Sequence, residues 1–334
     1  MTQSRYFTIS EYPEGLPERS LFQLETQELP ELKEGEVRIR NQWLSVDPYM
    51  RGRMSGVKTY VEPFALNKPL EGGALGEVIE SRHQTLKQGD RVVHMGGWRD
   101  VAQLNGDQVQ SLPDIDVPPQ AFLGVLGMPG MTAWAGLTLV AELKSSDTVL
   151  ISAASGAVGS LAAQLAYQKG CTVIGSAGSQ EKREWLEAHG IKAINHHQSA
   201  EEIKSALSEV APQGIDVYYE NVGGPMLEAA LDAMNDFGRI AVCGMISRYN
   251  EAAPSAGPAN ISLVLTKRLR MQGFIVHEWV KGHEQTFYQQ VGPLVADGRI
   301  EYRETVEEGL EQTPDAFLAL FEGSNQGKML VRLD

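Results

Sequence analysis

The most informative chemistry in this chain lies in Thr148–Gly175, TVLISAASGAVGSLAAQLAYQKGCTVIG, where small residues are spaced as Ala153-x-x-Gly156-x-x-Gly159. A β-branched apolar run, Thr148–Ile151, precedes them. A helix-like segment follows to Lys169, and Gly170 leads into a second apolar run, Cys171–Ile174. Strand, glycine turn, helix and strand make the βαβ unit that holds a dinucleotide. The glycines let backbone approach a pyrophosphate, and the helix N-terminus offers it free N–H groups and a partial positive charge. The alternative is a plain αβ turn, but the position between strand and helix favours a nicotinamide cofactor.

The residues that would read the rest of that cofactor lie at later strand ends. In NAD-preferring sites, a carboxylate about 20 residues past the fingerprint binds the adenosine ribose. Here the second strand runs into Gly175-Ser176-Ala177-Gly178-Ser179, without a carboxylate, and Lys182 follows at a helix start. Small hydroxyls, a helix N-terminus and an ammonium suit a 2′-phosphate, so NADP(H) is expected over NAD(H). Alternatively, Lys182 is a solvated helix lysine. The fourth strand ends in Tyr218-Tyr219-Glu220-Asn221-Val222-Gly223-Gly224, which puts Asn221 where the nicotinamide half should lie. The fifth ends in Cys243-Gly244-Met245-Ile246-Ser247-Arg248-Tyr249 and approaches the same crevice. Phe274-Ile275-Val276 ends the sixth, with backbone groups suited to a carboxamide.

The elements that must position these residues follow from the patterning. The first ~120 residues read as short strands separated by Gly, Pro and Asp turns. After Thr148, strands at Thr148–Ala153, Thr172–Gly175, Lys192–Asn195, Ile215–Glu220, Arg239–Gly244 and Arg270–Val276 alternate with helices such as Ala157–Lys169, Gln180–His189, Glu201–Val210 and Met226–Met234. Six strands with crossover helices predict a doubly wound parallel sheet. Strand-like Ile300–Arg303 and Lys328–Val331 then return to the style of the first region. The expected fold class is therefore α/β, with a nucleotide domain over 123–298 inserted into a β-rich domain of 1–122 and 299–334. Glu251–Asn260, with Pro254 and Pro258, reads as a loop after the fifth strand.

Charge and composition narrow the function classes. A net charge of −14 argues against nucleic acid and anionic membranes as partners. Ala121–Ala141 lacks charge, but Gly127-Met128-Pro129-Gly130 reads as a turn that splits it, leaving a buried helix from about Met131 to Glu142. No apolar leader is apparent at the N-terminus. Only Cys171 and Cys243 occur, both expected as reduced core thiols, which suits a cytoplasmic protein. Catalytic zinc needs a Cys and His set and structural zinc four clustered Cys. Two cysteines and seven scattered histidines supply neither, so no metal is expected.

Several motifs together, VDPYMRGRM from Val46, GVLGMPGMTA from Gly124, SAASGAVGS from Ser152, YYENVGG from Tyr218 and CGMISRYN from Cys243, resemble the medium-chain dehydrogenase/reductase superfamily. GFIV from Gly273 and NQGKMLV from Asn325 add to the match. Within it, the chain is most similar to the zinc-independent leukotriene B4 12-hydroxydehydrogenase/prostaglandin reductase group, and above all to its bacterial NADPH-dependent curcumin reductases. The resemblance implies a GroES-like catalytic domain around a Rossmann domain, a homodimer, and NADPH-dependent reduction of the C=C bond of α,β-unsaturated ketones and aldehydes. It carries cofactor contacts onto Gly156, Ala157, Val158, Gly159, Lys182, Asn221, Cys243, Gly244, Met245, Ile246, Ser247, Arg248, Tyr249, Phe274, Ile275, Val276 and Asn325. His196 stands where mammalian members have a tyrosine near the adenosine, and His196 and His197 read equally as solvated strand-end residues. Where zinc members have a cysteine, this chain has Ser45-Val46-Asp47-Pro48-Tyr49.

Without a metal, the enone carbonyl must be polarised by hydrogen bonds as hydride reaches the β-carbon. Tyr249 is the candidate donor, with the cofactor's ribose 2′-hydroxyl as the competing one and a structural anchor as the bland alternative. Tyr49 is a candidate substrate-pocket wall, with Tyr60 and Trp98 as further apolar surface. Arg51 reads as a loop tie rather than a catalytic group. Quinone reduction with the same cofactor is the enzymatic rival, and an NADPH-binding sensor or structural protein is the non-enzymatic one.

Overall fold

The computed structural model describes residues 2–253 and 255–333. Pro254, expected in the loop after the fifth strand, lies outside the described residues. The chain divides into two compact units, Met1–Gly127 with Glu304–Asp334, and Met128–Arg303.

The second unit is built on six parallel strands: β1 (Thr148–Ile151), β2 (Thr172–Ser176), β3 (Lys192–Ile194), β4 (Ile215–Glu220), β5 (Met234–Val242) and β6 (Arg270–Gly273). Their order across the sheet is β3-β2-β1-β4-β5-β6. The order reverses between β1 and β4, whose registers run Val217↔Val149 to Tyr219↔Ile151. A crevice therefore opens beyond the carboxyl ends of these two strands. The strands are legible because both their faces are covered: Val149, Leu150, Ile151, Val217, Tyr218 and Tyr219 are all buried. Two of the helices begin at side-chain caps. Ser179 caps Gln180–Ala188 by accepting from the Lys182 N–H, and Ser199 with Glu202 forms a full capping box for Ala200–Val210.

Three elements depart from the sequence pattern. The sixth strand stops at Gly273, and Ile275 is the N-cap of a short helix, Val276–Val280. The fifth strand starts earlier than expected, at Met234 directly after the helix Gly224–Ala233. The Gly127–Gly130 turn signal is misleading: the helix Met128–Ala135 contains Pro129 in its first turn, where a missing N–H costs nothing. That helix then widens into a π-turn, Gly136–Val140. Gly136 is required at that point, because a Cβ there would collide with the Tyr219 ring. Tyr219 uses the widened backbone, donating to the Thr132 carbonyl at 2.7 Å. Among the described residues, no helix is long and apolar enough to cross a membrane.

The first unit is the β-rich, GroES-like one. Its main sheet runs Glu304–Glu308, Lys328–Arg332, Glu36–Ser45, Ala74–Ser81, Arg91–His94, Gln110–Ser111, with Val101–Asn105 also on Glu36–Ser45. The C-terminal strand Lys328–Arg332 pairs antiparallel with Ser45, Leu44 and Trp43, so the chain end completes the sheet begun near its start. The strand expected at Ile300–Arg303 is found at Glu304–Glu308 instead. Trp98, considered for pocket surface, is wholly buried with Phe7, Phe22 and Phe317 in the aromatic core of this unit.

Candidate functional site

In the second unit, the glycine turn after β1 is shaped by close backbone approach. Ala153 adopts φ +49°, uncommon for a residue with a side chain. The Gly156 N–H bonds to its carbonyl at 3.0 Å. A Cβ on Gly159 would collide with that same carbonyl and with Ala154 Cα, so only glycine fits. The helix Gly159–Gln168 starts here, and its N-cap Val158 supplies no side-chain hydrogen bond to the first turn. Gly156, Ala157 and Val158 are half-buried, at an N-terminus polarised toward an anion.

Past β2, the structure assembles a cationic, hydroxyl-bearing corner. Ser176 Oγ lies 3.2 Å from His196 Nδ1. The rings of His196 and His197 meet edge to face over Gly178, 4.7 Å apart. Burial, reinforced by the neighbouring His197, Lys182 and Arg183, pushes the His196 imidazole down to about 4, so it is neutral at pH 7. Lys182 is half-buried in the first turn of its helix, and burial lowers its ammonium. In the sequence Arg183 reads as an ordinary helix residue. Its guanidinium donates to the carbonyls of Gly178 (3.0 Å) and Ala177 (3.4 Å), pinning the turn. No carboxylate occurs between Gly175 and Gln180.

The ends of β4 and β5 are interlocked. The Asn221 amide donates to the Ser152 carbonyl at 2.7 Å, and the Asn221 N–H to Ser152 Oγ at 2.8 Å. Asn221 is thus fastened to the end of β1. The Ile246 N–H bonds to the Asn221 carbonyl, while the Ser247 N–H and Oγ both donate to the Val222 carbonyl. The expected segment Cys243–Tyr249 therefore lies against the glycine turn Asn221–Gly224. Tyr249 caps a short 3-10 turn, Ile246–Arg248, and its hydroxyl sits 3.0 Å from where a Cβ of Gly244 would be. That places the phenol over the end of β5. Arg248 holds the following loop, pairing with Glu251 at 3.0 Å and donating to the Ala256 carbonyl at 2.9 Å. Phe274 is buried edge to face on Tyr219, and its N–H bonds to the Val242 carbonyl at 3.3 Å. Cys243 is a free thiol pushed by burial up to about 12, so it is no nucleophile.

In the first unit, Tyr49 precedes the short helix Met50–Arg53 and packs half-buried against the aromatic core. Burial, reinforced by Asp47, raises its phenol further. The motif around it is anchored at every charged position. Arg51 donates to the carbonyls of Gly15 and Pro13, as a loop tie does. Arg53 pairs with Glu71 at 2.7 Å and lies over the Phe64 ring. Lys328, which the sequence did not single out, is buried under the loop. Its Nζ donates to the Val46 carbonyl at 2.7 Å and lies 3.2 Å from Asp47 Oδ1, while Ser45 Oγ donates to the other Asp47 oxygen. Asn325 closes a local turn, its amide donating to the Gly327 carbonyl. Tyr60 is exposed.

The family model described as an N-terminal domain of oxidoreductase matches residues 5–112, and one described as zinc-binding dehydrogenase matches residues 157–296. An NADPH-dependent curcumin reductase of Escherichia coli K12 is 38% identical over 99% of this chain and 97% of its own length. The chain belongs to the curcumin–prostaglandin reductase family of zinc-independent medium-chain dehydrogenases/reductases. A putative NADP-dependent oxidoreductase of Bacillus subtilis strain 168 is 42% identical, covering 96% of this chain and 95% of its own. The crystal structure of CurA from Vibrio vulnificus in complex with NADPH superposes with a TM-score of 0.93, at 38% identity and 99% coverage of both chains. The zinc in the second model's description has no counterpart in a ligand set: among the described residues, no three His, Cys, Asp or Glu side chains cluster to hold a metal ion.

Proposed function

We propose that this family member is an NADPH-dependent reductase of the C=C bond in α,β-unsaturated ketones and aldehydes. The observation that carries the reading is the corner past β2. There Ser176, Ser179, Lys182, Arg183, His196 and His197 converge, with no carboxylate between Gly175 and Gln180, beside a helix N-terminus without a side-chain cap whose Gly159 leaves no room for a Cβ. These groups fit the 2′-phosphate and pyrophosphate of NADPH. When bound, NADPH supplies a hydride.

The chain's residues supply the rest. Gly156, Ala157, Val158 and Gly159 present backbone to the pyrophosphate. Lys182 binds the 2′-phosphate, and neutral His196 borders the adenosine. Asn221, Cys243–Ser247, Phe274, Ile275 and Val276 form the nicotinamide side, with Asn325 added on the strength of its motif. Arg248 serves the cofactor indirectly, by holding the loop. Tyr249 donates a hydrogen bond to the substrate carbonyl oxygen as negative charge moves onto it. A phenol suits that task because it remains protonated at neutral pH. Tyr49 is assigned to substrate contact by its motif, and Lys328 and Asp47 hold its loop in place.

The sheet edge supports the reading of a homodimer. Among the described residues β6 is paired on one side only, and Phe237 in β5 and Leu265 just before β6 are apolar and exposed. A second copy pairing along β6 would cover that edge. The two free thiols fit a reducing, cytoplasmic setting. Steady-state NADPH oxidation with an enone and with a quinone tests the central reading. Faster turnover of the quinone would replace it with quinone reduction, and NADPH binding without turnover of either would replace it with a sensor or structural role.

A further inference from the structure

Glu220 ends β4 with no exposed surface. Its Oε1 accepts from Ser152 Oγ at 2.9 Å and from the Val222 N–H at 2.6 Å. Its backbone carbonyl accepts the N–H groups of both Cys243 (2.9 Å) and Gly244 (3.1 Å). One residue thus fastens the ends of β1, β4 and β5 together. Two groups are left over. Glu220 Oε2 and the Tyr218 hydroxyl are both buried and have no hydrogen-bond partner. Residues two apart on a strand share a face, and each of these two groups influences the other's ionisation.

Among the described residues, hydrogen-bond donors rather than cations surround the Glu220 carboxyl. The titratable groups facing Glu220 are the Tyr218 phenol on its own strand and the Cys243 thiol on β5, while β1 contributes the Ser152 hydroxyl. Tyr218 and Cys243 both keep their protons, and no Lys, Arg or His pairs with Glu220 among the described residues. A small rotation joins Oε2 to the Tyr218 hydroxyl in either protonation state, because the phenol can donate to a carboxylate and a carboxyl can donate to the phenol oxygen. Burial raises the Glu220 carboxyl, against the Val222 and Gly223 N–H groups and the Tyr218 and Ser152 hydroxyls, which lower it.

We propose that Glu220 is the positioning residue of the strand-end crevice, accepting from Ser152 and Val222 through one side-chain oxygen and from Cys243 and Gly244 through its backbone carbonyl. It thereby sets the Asn221–Gly224 turn and the Cys243–Tyr249 segment, on which the nicotinamide-side contacts assigned above depend; to that extent it rests on that functional reading.

The test compares Glu220→Gln, Glu220→Ala and the unsubstituted protein by NADPH fluorescence titration, by a KM and kcat split, and by thermal melts of the cofactor-free protein. An amide keeps an acceptor for Ser152 and Val222 and adds a donor for Tyr218. Glu220→Gln therefore keeps the NADPH Kd within about threefold, whereas Glu220→Ala weakens it about tenfold and raises KM more than it lowers kcat. The cofactor-free melts should place Glu220→Ala well below Glu220→Gln. Glu220→Gln weakening NADPH about tenfold or more, whether or not Glu220→Ala folds, or a Glu220→Ala protein with unchanged Tm and unchanged NADPH Kd, would overturn the proposal. If the unsubstituted protein bound no NADPH, the functional reading would fall while the cofactor-free melts still decided whether Glu220 fastens the strand ends.

Discussion

Lys182→Ala tests the assignment of the 2′-phosphate corner. Two unit charges 4 Å apart at an effective dielectric of about 20 attract by about 4 kcal/mol. Lys182 is only half-buried, so hydration and salt take back much of that. What remains is the usual range of a charge-assisted hydrogen bond, about 1.5–3 kcal/mol. Arg183 and the helix N-terminus stay in place after the substitution, which favours the lower end. At about 1.4 kcal/mol per decade, the NADPH Kd and KM should therefore rise about tenfold. NADH carries no 2′-phosphate and should change less than about twofold. Fluorescence titration and steady-state kinetics with both cofactors at two ionic strengths give the measurement, and the NADPH penalty should shrink as salt rises. Arg183→Ala provides the contrast. Its guanidinium holds the Ala177 and Gly178 carbonyls, so its loss should disturb the turn and weaken both cofactors. Equal weakening of NADPH and NADH by Lys182→Ala would refute the assignment.

Other expectations concern the carbonyl donor, metal and assembly. Tyr249→Phe should lower kcat with enones by roughly 10- to 100-fold, less than the full loss of a lone donor because the ribose hydroxyl can share the task. NADPH affinity should hold, and an unchanged kcat across several enones would make Tyr249 an anchor over β5. Prolonged EDTA or phenanthroline treatment should leave the rate intact, since no ligand cluster exists among the described residues; activity lost to a chelator and restored by zinc would sink the metal-free mechanism. Light scattering at micromolar concentration should give the dimer mass, and a monomer mass would contradict pairing along β6.

Much of this was legible in the sequence because buried parallel strands must be apolar runs. Thr148–Ile151 and Ile215–Glu220 could be read for that reason, and the glycine spacing marked the crevice between them. The errors have physical causes. Gly273 stops β6 early because Phe274 turns into the core against Tyr219, a contact that no local pattern announces. Trp98 looked available to a pocket, but Phe22 and Phe317 from distant segments enclose it. The missed residues, Arg183, Glu220 and Lys328, share one property. Each acts through partners that only the fold brings near: the carbonyls of a turn, a serine on another strand, an aspartate at the far end of the chain. Tyr249 and Lys182, by contrast, could be nominated because they follow strand ends whose direction the βα alternation had already set.

The most direct test is the fate of the hydride. Incubating the enzyme with NADPH carrying deuterium at the transferable C4 position and an α,β-unsaturated ketone, then examining the product by mass spectrometry and NMR, locates the new bond. The account predicts a saturated ketone with deuterium on the β-carbon and an unlabelled α-proton drawn from solvent. Deuterium on the carbinol carbon of an allylic alcohol would contradict it.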